Sequence, residues 1–593
     1  MRGIESASKS YARWRCRDRR ASEPTAATAR HGLISEFFGG NTMQDIHRRQ
    51  IRTDYDYVVI GSGSAGSVVA ARLAEDAGTR VLLIEAGPKD TSTYIRMPAA
   101  LGFPLMDDKF NWYMHSEPEP GLNERKIYEA RGRVLGGCSS INGMNWVRGN
   151  PWDYDNWEAM GNAGWSYADV LPYFRKAETF DKGANDYRGG NGPMHIETCR
   201  ADNPLYRAFL EAGKQAGLPH VDDHNAYRQE GVHITQRNVH RGLRWSTSRA
   251  YLHEAPPRDN LHVWSMAQVL KLEFAGKRAV AVLVRVGSET KRISISREAI
   301  VCGGAIHSPQ ILMLSGIGNG NDLRRLSINV VSDLRGVGQG LKDHLAAPVQ
   351  YRATQNVSAA RELTTFGKLK LGVQWKLFKK GLGATNFFEV GAFIRTQDDI
   401  KVPNVQFEFI PMLGEFQHGN VKLENGFQYF FSLMRPTSSG RVWIDSADPL
   451  APPKFVFNFL TTETDRRDAI AAVRAIRNVV GQQAWAPLRG DEVTPGRPVQ
   501  TDEQILAYLR ETAGTNYHPS CTCRMGTGDD AVVDAQGRVH GVDNVRVVDA
   551  SIMPEIVSGN LNAPVIMMAE KIADNIRGRS EPPASKAEYY KAA

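Results

Sequence analysis

Hydrophobic patterning along the chain becomes ordered at Tyr55. Tyr57 to Ile60 form a short unbroken apolar run, the signature of a parallel strand buried on both faces. Gly61, Gly63 and Gly66 follow at once, and from Ser64 the apolar positions Ala65, Val69, Leu73 and Ala77 recur every four residues, predicting a helix stopped by Gly78. Val81 to Ile84 predict a second strand ending in Glu85, so the whole stretch reads as a β-α-β unit.

Two later stretches repeat the order of apolar strand, small-residue turn and helix: Arg297 to Gly318 and Val545 to Ile576. One nucleotide-binding-type lobe is therefore assembled from segments far apart in sequence. Between them, roughly Ala346 to Pro449, Val405, Phe407 and Phe409 alternate with Gln406 and Glu408, which predicts an antiparallel sheet with one covered face. The predicted class is α/β (α+β overall): a Rossmann-like lobe from residues 53–205, 235–345 and 512–578, and a second lobe of mainly antiparallel sheet and helices from 206–234 and 346–511. Residues 1–52 read as an extension and 579–593 as a frayed polar tail.

Composition narrows the class. Hydrophobic residues make up 42% and charged residues 23%, as in a folded globular protein. The first 42 residues hold eight basic and four acidic side chains, so half of the net charge of +8 sits there, and nothing in the remainder points to nucleic acid. That segment also lacks a signal-peptide core and precedes Met43, the expected working start. Six cysteines are too few for a disulfide scaffold and suit a reducing, cytoplasmic setting. Cys521-Thr-Cys523 is one residue too short for a CxxC pair and has no further ligands at zinc spacing, so no metal is expected. No apolar run reaches the ~18 residues that span a bilayer, which leaves only peripheral contact with the inner face of the cell membrane.

The glycines after the first strand have separate tasks. One permits the tight turn, one lets the backbone approach a pyrophosphate, and one brings helix against strand, while the helix N-terminus offers free N–H groups to the anion. Glu85, nineteen residues after Gly66, is placed to accept hydrogen bonds from ribose hydroxyls, which favours FAD or NAD over NADP.

Several stretches in order resemble the glucose-methanol-choline family of FAD-dependent oxidoreductases over about Asp54 to Gly578. They are the β-α-β unit, GRVLGGCSSINGMNWVRG (Gly132 to Gly149), GAIHSPQILMLSGIG (Gly304 to Gly318), NYHPSCTCRMG (Asn516 to Gly526), VVDASIMP and GNLNAP (Val547 to Pro564). The wording is nearest the choline-oxidising branch. The resemblance implies an FAD lobe in which Gly61, Gly63, Ser64, Gly66 and Glu85 hold the ADP half. It sets Gly136, Gly137, Asn142 and Gly143 along the pyrophosphate and ring, Val269 against adenine through its backbone, and Asp549 with Ala550 at the ribityl end. Where some relatives tether the flavin through a histidine, Ile141 stands here, so FAD is expected to be noncovalent.

By the same resemblance His518 is the base that takes an alcohol's hydroxyl proton, and Asn562 orients the oxygen. Moving that proton fully from an alcohol near pKa ~16 to a histidine near ~6.5 is uphill by ~12 kcal/mol. Preorganised donors and concerted hydride departure must therefore share the work. An Asn at a helix entrance can also serve as a cap, and His307 reads as a core residue. Glu389, with Tyr517, Phe387 and Phe388 as aromatic faces, falls where choline-oxidising relatives carry an acid for the trimethylammonium group. An outward or salt-bridged Glu389 is equally compatible with the pattern. Choline leads, ahead of aliphatic or aromatic alcohols of the same chemistry and of a hydroxynitrile lyase. A quinone or respiratory chain is the expected electron acceptor.

Overall fold

The computed structural model describes residues 51–417 and 420–592. The expected extension and Met43 fall almost wholly or wholly outside them. In chain order, a first sheet receives β1 (Asp54–Ile60) and β2 (Val81–Ile84), and a second sheet receives β3 (Gly231–Ile234). The chain returns to the first sheet with β4 (Leu261–Trp264), β5 (Gln268–Ala275), β6 (Arg278–Val286) and β7 (Glu289–Val301). It then supplies the second with β8 (Leu345–Ala353), β9 (Val390–Ile394), β10 (Val405–Ile410), β11 (Gly426–Leu433), β12 (Arg489–Thr494) and the short β13 (Gly514–Thr515). Finally β14 (Val545–Val547) goes back to the first sheet.

The first sheet runs β4-β2-β1-β7-β6-β5, with β14 also paired to β7. Pairing is parallel from β4 through β7 and at β14, and antiparallel over β7-β6-β5. Five helices matter below: α1 (Ser64–Leu73), α2 (Gly304–Leu314), α3 (Thr365–Phe378), α4 (Glu463–Gly481) and α5 (Asn562–Ile576). α1 ends at Leu73, short of the expected stop at Gly78. The Thr79 hydroxyl donates to the carbonyls of Leu73 and Asp76 and closes the helix early. α5 lies against α1, and Glu570 ties the two: buried in α5, it accepts from Arg72 Nε and Nη2, with Lys176 at 3.1 Å and the Tyr251 hydroxyl at 2.8 Å.

The second sheet runs β12-β8-β11-β10-β9-β3, antiparallel throughout. One face carries Val405, Phe407 and Phe409 into an aromatic core with Phe427, Tyr429 and Trp485, covered by α4. The other face is not open to water, contrary to the single covered face expected: Gln406 and Glu408 are buried too. The polar side of β10 faces an interior site instead. No helix among the described residues is long and apolar enough to cross a membrane.

Candidate active site

A single long cavity runs from the carboxyl ends of β1 and β2 to the polar face of β10. Its nucleotide-side end is built as the glycines dictate. Gly61 has φ +97°, and a Cβ at Gly66 would lie 1.8 Å from the Gly61 carbonyl oxygen, so that position serves close packing beneath the turn. Gly63 has nothing above it within 4 Å and opens to the cavity, as do Ser64 and the first turn of α1, whose N-cap Gly63 offers no side chain to the free N–H groups. Glu85 accepts from the Ser62 hydroxyl at 2.6 Å, the Ser62 amide at 3.1 Å and the Gly87 amide at 2.9 Å. Burial raises its carboxyl above the usual range despite those donors.

Gly137, Asn142, Gly143, Val269, Asp549 and Ala550 also line the cavity. Gly136 does not: it turns the chain beneath the lining, donating to the Ser62 carbonyl. The Asp549 carboxylate is fully used by the protein, accepting from Gly304 N–H, the Ser308 hydroxyl, and both the amide and hydroxyl of Ser551. Ile141 borders the cavity at the expected tether position and offers no nucleophile. His307, expected in the core, lines the cavity and lies over Trp112 with ring centres 4.5 Å apart.

At the far end stands His518. Its backbone N–H donates to Asp343 Oδ1 at 2.8 Å, and its Nδ1 lies 3.0 Å from Nδ1 of His344. The preceding Tyr517 has φ +63° and is held by Arg131, which donates to the Tyr517 carbonyl. Burial, then the neighbouring His344 and Arg131, drive the His518 imidazole well below its usual pKa, which favours the neutral ring. His344 is held neutral as well, pushed down to about 3 chiefly by burial.

Two expectations are corrected here. The amide beside His518 is that of Asn560, with Nδ2 3.3 Å from His518 Nε2. Asn562 instead opens α5, makes no cap, and accepts from the Ser64 hydroxyl at 2.7 Å, leaving its Nδ2 buried in the cavity wall without a partner. Likewise Glu389 lies off the cavity. It accepts from the Thr385 hydroxyl and the Ala201 amide and sits 3.5 Å from Arg237, which satisfies its charge elsewhere. The acid that lines the cavity at its His518 end is Glu408, on β10. It accepts from Asn145 at 2.9 Å, Asn516 at 3.2 Å and Asn560 at 3.4 Å, and no cation pairs with it among the described residues. Burial raises its carboxyl against those three amides. Tyr517 and Phe388 line the cavity, whereas Phe387 belongs to a separate apolar cluster.

Sequence reasoning thus missed Glu408, Asn560 and His344. The polar positions of VQFEFI were a usable signal for the first, and GNLNAP contains the second; nothing in the sequence distinguished the third.

The fit to a dinucleotide rests on the open glycine turn, the carboxylate at the end of β2 and the unpartnered Asn562 amide. A mixed, nucleotide-type sheet whose carboxyl ends share one cavity with the polar face of a second sheet and a buried histidine is the architecture of a dinucleotide-dependent oxidoreductase. The chain belongs to the GMC oxidoreductase family, whose amino-terminal model matches residues 55–346 and whose carboxy-terminal model matches 436–569. It is 49% identical over 546 residues to an oxygen-dependent choline dehydrogenase of Pseudomonas syringae pv. tomato, covering 91% of this chain and 96% of that one. A relative of the same description from Xanthomonas euvesicatoria pv. vesicatoria is 48% identical over 547 residues, covering 91% and 98%. Among solved structures, pyridoxine 4-oxidase from Mesorbium loti superposes with a TM-score of 0.80 at 30% identity, over 89% of this chain and 100% of that one. A formate oxidase of Aspergillus oryzae RIB40, studied for its FAD modification, gives a TM-score of 0.84 at 26% identity, over 89% and 99%. The chain is accordingly an FAD-dependent alcohol oxidoreductase.

Proposed function

We propose that the protein oxidises choline to its aldehyde, using noncovalently bound FAD. The observation that carries the substrate is Glu408: a buried carboxylate with three amide donors and no cationic partner among the described residues, on the wall of the same cavity as His518. Burying an unpaired carboxylate is costly, and a trimethylammonium group supplies the missing charge without needing hydrogen bonds. The aromatic side chains of Tyr517 and Phe388 line the same cavity. The name shared by the curated relatives supports the same substrate.

Gly61, Gly63, Ser64, Glu85, Gly137, Val269 and Asn562 would hold FAD, with Gly66, Gly136 and Asp549 shaping the backbone beneath them. When bound, FAD supplies a hydride acceptor at N5 of its ring system. The rest falls to the side chains. His518 Nε2 takes the hydroxyl proton, and Asn560, which reaches both His518 and Glu408, fixes the alcohol oxygen between them. Glu408 holds the cationic head so that the carbinol carbon faces the flavin side of the cavity. The shared name of the relatives favours dioxygen as acceptor, while the sequence resemblance implies a quinone; comparing turnover in air with turnover on a soluble quinone separates them.

The test is anaerobic mixing of purified holoenzyme with choline, benzyl alcohol and a medium-chain alkanol, following the flavin absorbance. Rapid bleaching by choline alone is the expected outcome. Bleaching by the uncharged alcohols alone would discard the cation site. Release of flavin on acid precipitation checks noncovalent attachment, and flavin retained in the pellet would refute it.

A further inference from the structure

The segment between Glu362 and Glu389 contains five lysines and no acidic residue. Most of it is α3, which is fixed to the body along one side only. Trp375 is 3% exposed and donates from its indole N–H to the Gly242 carbonyl at 2.7 Å, and Leu371 packs beside it against Met97, Ala100 and Leu243. On the opposite side Phe366, Leu369, Val373 and Leu377 are 77%, 64%, 51% and 67% exposed. Their spacing of three, four and four residues draws one stripe along the helix. Such a stripe is unusual on a water-soluble surface, because scattered apolar residues are common but an aligned helical face is not.

The charge around the stripe identifies what it fits. At 100° per residue, Lys370 and Lys376 flank it on either side, with Lys380 beyond its carboxyl end, while Lys379 folds back over Trp375 and donates to the Trp375 and Lys376 carbonyls. The electrostatic neighbours of Lys379 are Lys376 and Arg96, both cations. Lysine stems extend apolar surface while their ammonium groups reach toward an anionic layer, the arrangement of helices that lie in a lipid interface. A second copy of the chain is the poorer fit, since a two-fold pairing of this face would set lysines against lysines. The sequence left only peripheral membrane contact open and assigned no residues to it. We propose that α3 docks on an anionic bilayer, seating the Phe366, Leu369, Val373 and Leu377 stripe among the acyl chains with Lys370 and Lys376 at the phosphates. The body beneath it has a bearing on the cavity: the Pro98–Ala100 turn that packs on Trp375 leads directly to Leu101 and Leu105, which border the cavity. This inference is independent of the substrate.

The experiment is co-sedimentation of the FAD-loaded full chain with vesicles rich in phosphatidylglycerol, and with uncharged vesicles, at low salt. Binding to the anionic vesicles is expected, weakened at about 0.5 M salt. The Leu369→Glu/Leu377→Glu and Lys370→Glu/Lys376→Glu variants should each bind about tenfold more weakly or less. Soluble dye-coupled turnover and thermal midpoint, read in parallel, should stay at the wild-type values, which separates loss of docking from loss of fold or activity. Wild-type protein left in the supernatant, or variants that sediment equally, would overturn the proposal. So would light scattering that shows a wild-type dimer split by Leu369→Glu, which would assign the face to a second copy.

Discussion

His344 Nδ1 lies 3.0 Å from His518 Nδ1, so the two rings share one proton at that contact. The carbonyls of Val557 and Met434 lie beside the His344 ring, along with the Arg435 guanidinium, and Nε2 makes no well-aligned hydrogen bond among the described residues. We infer that these carbonyls favour a proton at His344 Nε2, which presents a lone pair at Nδ1. His518 must then donate from Nδ1, which leaves its Nε2 bare toward Asn560 and the cavity. His344 is thus a positioning residue that selects the basic tautomer. His344→Leu should slow anaerobic flavin reduction about 10²-fold with little change in substrate Kd, and His344→Asn, which keeps an acceptor oxygen, should recover most of the loss. Flavin reduction at the wild-type rate in the Leu variant would refute the assignment.

His518→Ala removes the proposed base. Flavin reduction by choline should fall by about 10²–10⁴-fold, with Kd changed only a few-fold, because the proton moves only on the way to the transition state. Stopped-flow titration separates the two constants.

The two glutamates give a paired prediction. Glu408→Gln should weaken choline by about tenfold or more while sparing an isosteric uncharged alcohol such as 3,3-dimethylbutan-1-ol, since only the ion pair is removed. Glu389→Gln should leave that discrimination intact and lower stability, because its partners Thr385, Ala201 and Arg237 are structural. The reverse pattern would return the cation site to Glu389.

Asn560 and Asn562 separate in the same way. Asn560→Ala should reduce the rate of flavin reduction, and Asn562→Ala should chiefly increase flavin loss during gel filtration, through the broken link to Ser64. Equal flavin retention in both variants would count against the division.

Glu570 offers a test of stability. Burial alone would raise its carboxyl, but Arg72, Lys176 and the Tyr251 hydroxyl outweigh burial and hold it below the usual range. A depressed folded pKa stabilises above the unfolded value near ~4.3 and is lost as pH falls through the folded value. Glu570→Gln should therefore cost about 3–5 kcal/mol at pH 7, with the deficit narrowing below about pH 4 as the wild type loses the same charge. Denaturant titrations at both pH values read the difference.

The turn at Gly61 to Gly66 was legible because backbone geometry leaves few residue choices there. Glu389 and Glu408 were not separable, as both sit among aromatic residues near strands. An alternating pattern names two faces without saying which one looks inward, and a shift of one residue exchanges them. For Asn560 and Asn562 the difference is the start of α5. Asn562 is its first residue and turns back to Ser64, whereas Asn560 remains in the loop and reaches His518. His344 follows a stretch with no periodic signal, and only the pairing of β8 with β13 brings it beside its partner.

The return of the chain to its first sheet also sets an order of events during synthesis. β1, α1 and β2 leave the ribosome long before β14, Asp549, Asn560 and Asn562, so the nascent nucleotide lobe waits for them with one flank bare. At 5–20 residues per second that wait lasts roughly half a minute to a minute and a half. Cofactor capture therefore follows the emergence of β14 and α5, and a chain truncated before Val545 would expose the apolar edges of β7 and α1 to aggregation or chaperones rather than persist as a flavin-loaded fragment.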